Sequence, residues 1–114
     1  MSYRFEAIKK LRPNSLFTVY NDGTVEWSEE NTVDIPSEQE ILEAEAIVEV
    51  ELMSNEVRKK RNELLMDTDW VVIKYKELGK TVPKAWKEYR QALRDITSQE
   101  GFPRKTEWPK EPTE

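Results

Sequence analysis

The sequence predicts a small α+β protein, mostly helical, with an N-terminal β-hairpin, one long helix and a C-terminal helical hairpin with an extended Pro-rich tail. Three observations predict it. Two β-rich runs flank Asn-Asp-Gly at 21–23. From Ser37 to Met66 there is neither glycine nor proline. Two shorter helical patterns then follow, separated by Gly79, before a tail with prolines at 103, 109 and 112. The expected division is 1–36 for the segment with the hairpin, 37–100 for the long helix and helical hairpin, and 101–114 for the Trp-Pro tail.

In residues 3–11, Phe5, Ala7, Ile8 and Leu11 suit a short helix. Pro13 stops it and pushes Arg12 toward extended angles. In "LFTVYNDGTVEWS", residues 16–28, the loop length decides the register. A two-residue loop would put Phe17 and Val19 on the face of Glu26 and Ser28. A three-residue loop, Asn21-Asp22-Gly23 with Gly23 left-handed, pairs Val19 with Val25 and Phe17 with Trp27. The second choice separates an apolar face (Phe17, Val19, Val25, Trp27) from a polar one. A lone hairpin is marginal in water, so that face must lie on the chain's own helices or on a partner.

"DIPSEQEI" starts the long helix. Ser37 and Glu40 form a capping box, with Ile35 placed to staple onto Ile41. Leu42, Ala46, Val50, Met53, Val57 and Leu64 form one stripe. Ile41, Ala44, Val48 and Leu52 form a second in the first half only. This suits a core helix with a solvated end, or a two-sided helix that also meets a second chain. A break is expected near "LLMDTDW", with Asp67 or Thr68 capping a helix that runs to about Leu78 and stops at Gly79. A last helix follows, capped by Thr81, with Pro83 in its first turn and Gly101 at its end. Its expected stripe is Ala85, Tyr89, Ala92 and Ile96, widened by Trp86 and Leu93.

Composition narrows the function. The chain has 114 residues, 37% hydrophobic and 36% charged, so its core is thin and leans on large rings. A net charge of −5 argues against general nucleic-acid binding. "RKKR" at 58–61 spreads around its helix among acids and reads as a solvated face. There is no cysteine or histidine, so disulfides, thiolate chemistry, zinc ribbons and the commonest general base are excluded. No apolar run nears the length needed to span a bilayer, and the N-terminus lacks an apolar signal core.

The acid pair Asp67 and Asp69 is the one catalytic or metal-binding suggestion. Residues two apart on a helix point in different directions, and no third acid stands at metal-loop spacing. Capping or ion pairing is the better reading, with Asp69 paired to Arg90 or Arg94. No nucleophile motif or Gly-rich phosphate loop occurs. Trp70, Trp86, Tyr89 and Trp108 read as packed aromatics rather than a ligand cage. No catalytic residue, metal, cofactor or small-molecule substrate is expected.

"RNELLMDTDW", "AWKEYRQALRDIT", "FP" and "EWPKEP" resemble the C-terminal module of bacteriophage tail assembly chaperone and tail-fibre-assembly-like proteins. That module runs arginine, paired leucines, T-D-W, W-x-x-Y-R-Q-x-L-R-D-I and W-P-x-x-P. The matching positions are Arg61, Leu64, Leu65, Thr68, Asp69, Trp70, Trp86, Tyr89, Arg90, Gln91, Leu93, Arg94, Asp95, Ile96, Pro103, Trp108, Pro109 and Pro112. They lie within residues 58–112. The first half is similar to short phage tail proteins that put a hairpin before a long helix. The resemblance implies assembly of a phage tail or tail fibre by protein–protein binding, without catalysis. It also admits a minor virion component, so either the host cytoplasm during assembly or the virion tail is the expected location. The expected partner is a tail or tail-fibre protein, met through Phe17, Val19, Val25 and Trp27. The long helix is available for homo-oligomerisation. Neither nucleic acid nor membrane is expected.

Overall fold

The computed structural model describes residues 3–113. Met1, Ser2 and Glu114, at the outer ends of the first and last expected segments, lie outside the described residues. The chain divides into two compact units, 1–52 and 53–114.

The first unit begins with α1 (Arg4–Leu11), followed by β1 (Phe17–Val19) and β2 (Val25–Trp27). The strands are antiparallel, with Phe17 opposite Trp27 and Val19 opposite Val25. Tyr20 N–H donates to the Thr24 carbonyl, which leaves Asn21, Asp22 and Gly23 as the loop. Gly23 sits at φ +90°, an angle that a Cβ would strain. Asp22 accepts the Thr24 N–H across the turn. The three-residue loop and its register therefore hold.

α2 (Glu38–Asp67) is continuous over 30 residues. Its capping box is formed. Glu40 N–H donates to Ser37 Oγ at 3.1 Å, and Ser37 N–H donates to Glu40 Oε1 at 3.3 Å. The staple is corrected: Ile35 is exposed, while Pro36, the residue directly before the cap, is buried. The stripes are also corrected. In the first half Ile41, Ala44 and Val48 are buried, whereas Leu52, the last of the shorter stripe, and Leu42 and Ala46 of the longer one are exposed. Ala44 and Val48 pack with Ala7 of α1, flanked by Tyr3 and Leu11. α1 packs on the shorter stripe, which leaves Leu42 and Ala46 of the other stripe exposed.

In the second unit the helix breaks at Thr68, and α3 (Asp69–Glu77) follows. α3 ends in a Schellman motif: Lys80 N–H donates to the Tyr75 carbonyl and Gly79 N–H to the Lys76 carbonyl, with Gly79 at φ +67°. α4 (Lys84–Arg94) starts later than expected, behind Pro83 and without a side-chain cap. Thr81 does not cap it, because the residue before a proline is driven toward extended angles and the helix can begin only beyond the ring. α4 also stops earlier than Gly101: Asp95 is its C-cap, and the short 3₁₀ turn α5 (Ile96–Ser98) follows. The buried stripe of α4 is Trp86, Tyr89 and Leu93, continued by Ile96, while Ala85 is exposed.

The core of this unit is Val71, Trp86, Tyr89 and Leu93, with Leu64, Leu65, Tyr75, Val82 and Trp108 around it. The tail begins as a turn, with Lys105 N–H on the Gly101 carbonyl, and continues without regular structure. A Cβ at Gly101 would stand 2.7 Å from the Lys105 carbonyl oxygen, so only glycine fits there.

Candidate functional site

Two constellations stand out. One is the joint at Thr68 and the other is the aromatic face of the hairpin.

The joint is built at the C-terminal end of α2. The last carbonyls of any helix lack intrahelical partners, and that end favours positive charge. The last turn of α2 holds no basic residue. Arg90, on α4, supplies one. Its Nη1 donates to the Leu65 carbonyl at 2.9 Å and to Thr68 Oγ1 at 2.6 Å. Its Nη2 donates to Asp69 Oδ1 at 2.8 Å. Its Nε is buried without a hydrogen-bond partner among the described residues. Thr68 is only 1% exposed, and its hydroxyl lies 3.1 Å from the Leu64 carbonyl and 3.2 Å from the Leu65 carbonyl, to which it donates. The expected cap is thus corrected. Thr68 holds the N-cap position of α3 but makes no cap bond, because its hydroxyl is turned back onto α2. Asp69, in the first turn of α3, pairs with Arg90. Arg94 instead reaches Gln91 Oε1 at 3.3 Å, and Asp95 accepts from Gln91 Nε2. Asp67 is exposed. The two aspartates do not converge, and no group of three potential metal ligands occurs among the described residues.

Aromatics surround the joint. Trp70 and Trp86 meet edge-on at 6.3 Å, and Trp86 meets Tyr89 edge-on at 6.1 Å. Trp70 remains 48% exposed, so it covers the core rather than entering it. Burial, the largest cause, raises the Tyr89 hydroxyl above its usual range. Lys60 Nζ stands 4.3 Å from the Trp108 ring centroid and the Arg58 guanidinium 5.6 Å from that of Phe102, so two of the four "RKKR" cations lie over tail rings. Pro109 borders the groove between α4 and the tail. The Gln99 side chain donates to the Glu107 carbonyl at 2.7 Å and accepts the Glu107 N–H at 2.8 Å, which clamps the tail. Nothing in the sequence around Gln99 signals this.

On the hairpin, Phe17, Val19, Val25 and Trp27 are each half-buried. Phe17 lies 5.3 Å from Phe5 and 5.6 Å from Trp27, ring centroid to centroid. The three rings form a row across α1 and the hairpin, with Lys9 Nζ 5.9 Å above Phe17. Phe5, Leu16, Phe17 and Trp27 line an open groove of about 570 Å³. Phe5 was outside the expected face. The clue was available: Ala7, Ile8 and Leu11 share the core side of α1, and Phe5 is the apolar residue left over.

No curated protein and no solved structure matches the chain. Residues 54–113 match the family described as phage tail assembly chaperone protein. That stretch holds the joint, the aromatic core and the clamped tail, and it makes up more than half of the sequence. The chain belongs to the phage tail assembly chaperone family.

Proposed function

We propose that the protein acts in bacteriophage tail or tail-fibre assembly, by binding a tail or tail-fibre protein through the groove on α1 and the hairpin. Family membership supports the biology, and the row Phe5–Phe17–Trp27 is the observation that carries the surface. Large rings left half-exposed around a groove are the usual anchors of protein recognition. In this reading residues 1–36 supply the binding face, 37–100 the helical body and 101–114 the strap. Binding is non-enzymatic, and it takes place in the host during assembly. The second reading, a minor virion component of the tail or fibre, is favoured by the tail's clamp and cation–ring contacts, which suit a part meant to stay folded. The exposed stripe of α2 supports self-association through the long helix.

The test is co-purification of the tagged chain with tail and fibre gene products, followed by mass spectrometry of purified particles. An assembly factor co-purifies with a tail protein and is absent from particles. Presence in particles at fixed stoichiometry would replace this reading with the second one. Capture of no tail or fibre protein would sink both.

A further inference from the structure

Charge is divided unevenly along the chain. Residues 1–52 carry twelve acidic and four basic side chains, and residues 53–114 carry eleven and fourteen. The two compact units therefore have net charges of −8 and +3.

Each unit concentrates its charge beside uncovered apolar surface. Between Glu38 and Glu51, α2 has six acids and no base. Glu38 and Glu45 are taken by Arg4, Glu40 by Arg12 and Glu51 by Lys10. Glu43 accepts from the Gln39 amide and meets no cation among the described residues. It lies next to Leu42 (52% exposed), Ala46 and Ile47 (51% exposed). In the other unit, Val72, Val82, Lys87, Arg90, Gln91 and Arg94 line a groove of about 260 Å³. Asp69 neutralises Arg90. Lys87 and Arg94 meet no carboxylate among the described residues, and they stand two turns apart on α4, about 10 Å along the axis.

We propose that the Leu42–Glu43–Ala46–Ile47 face of α2 in one copy docks into the Val72–Val82 groove of a second copy, between Lys87 and Arg94. Charge complementarity selects the occupant. This sequence itself holds an acidic helix with exposed apolar residues, and the groove pairs an apolar floor with two cations that meet no carboxylate among the described residues. The contact is heterologous, since different surfaces meet, so an open assembly keeps one unused surface at each end. The inference rests on the reading that the long helix self-associates, and it adds the surface that receives it.

The test is sedimentation velocity of the full chain at low salt and at roughly 0.5 M salt, where exposed charges are screened. The chains compared are the parent, Glu43→Lys, and the double variant Lys87→Glu/Arg94→Glu. All three positions are exposed, and far-UV circular dichroism checks the fold. Should the double reversal unfold, Lys87→Gln/Arg94→Gln takes its place. The parent is expected to associate with rising concentration, and less so in salt. Each variant alone should associate about tenfold more weakly. An equimolar mixture of the two should recover association, because both contacts between unlike chains again join an acidic surface to a basic one. If the parent associates but the mixture does not pair, the groove is wrong and self-association through α2 stands. If the parent is monomeric throughout, both fall.

Discussion

Residues 1–52 bury only aliphatic side chains among their hydrophobics, Ala7, Ile8, Ile41, Ala44 and Val48, whereas residues 53–114 fold around Val71, Trp86, Tyr89 and Leu93. The first unit fastens α1 to α2 by ion pairs from Arg4 to Glu38 and Glu45 and from Lys10 to Glu51; Glu38, Lys10 and Glu51 are exposed, whereas Arg4 and Glu45 are largely covered. The second fastens α2 to α4 through one guanidinium that donates to a backbone carbonyl and a buried hydroxyl at a helix end. Surface pairs contribute little each, while buried rings contribute a great deal. The difference teaches a division of labour. The family-matched half buries aromatic rings in its core. The other half leaves its largest side chains, Phe5, Phe17 and Trp27, beside an open groove.

The largest test of that contrast is Leu93→Ala. Leu93 is fully buried, and its truncation should cost about 3–4 kcal/mol in urea unfolding, as for other leucines in tight cores. A loss under about 1 kcal/mol would mean that the second unit is not the stability core. Next is Arg90→Met, which strips partners from the Leu65 carbonyl and the buried Thr68 hydroxyl. A loss of about 2–3 kcal/mol is expected. Arg90→Lys should recover little, since a single ammonium cannot reach the carbonyl, the hydroxyl and the carboxylate together.

Acid should separate the units. The Arg12 guanidinium holds the Asp34 carboxyl below its usual range, and Arg4 does the same for Glu38. A carboxyl depressed in the folded state adds stability above its unfolded value, near pH 4, and loses it as pH falls through the folded value. Hydrogen exchange, corrected for its intrinsic pH dependence, should therefore show α1 losing protection between about pH 5 and pH 3 before α4 does. Equal loss in both would erase the distinction. The smallest effect is that of Asp69→Asn. Asp69 is 56% exposed on its side chain, so the change should lower stability by less than about 1 kcal/mol. No change in melting temperature at all would remove Asp69 from the joint.

Much of the fold was legible because local chemistry decided it. Gly23 set the hairpin loop, Ser37 and Glu40 set the start of α2, and Gly79 set the stop of α3. What was not legible depended on distant residues. Periodicity offered two stripes on α2, and only the docking of α1 chose Ile41, Ala44 and Val48. Thr68 looked like a cap because its neighbours suit one, but Arg90, twenty-two positions away, engages its hydroxyl. Val82 before Pro83 delayed α4. The Asp69–Arg90 pair was one of two alternatives, and the distance settled it. Phe5 joins the hairpin rings only once α1 has turned its other side to the core.

Two half-exposed tryptophans make the most direct test of where the protein binds. Trp27 belongs to the hairpin row and Trp70 to the family-matched unit. The measurement is capture of a tail or tail-fibre protein by the tagged full chain, compared with Trp27→Ser and Trp70→Ser, each shown folded by its unfolding curve. Trp27→Ser is expected to lose the partner and Trp70→Ser to keep it. Loss with Trp70→Ser and retention with Trp27→Ser would contradict it and move the binding face to the joint.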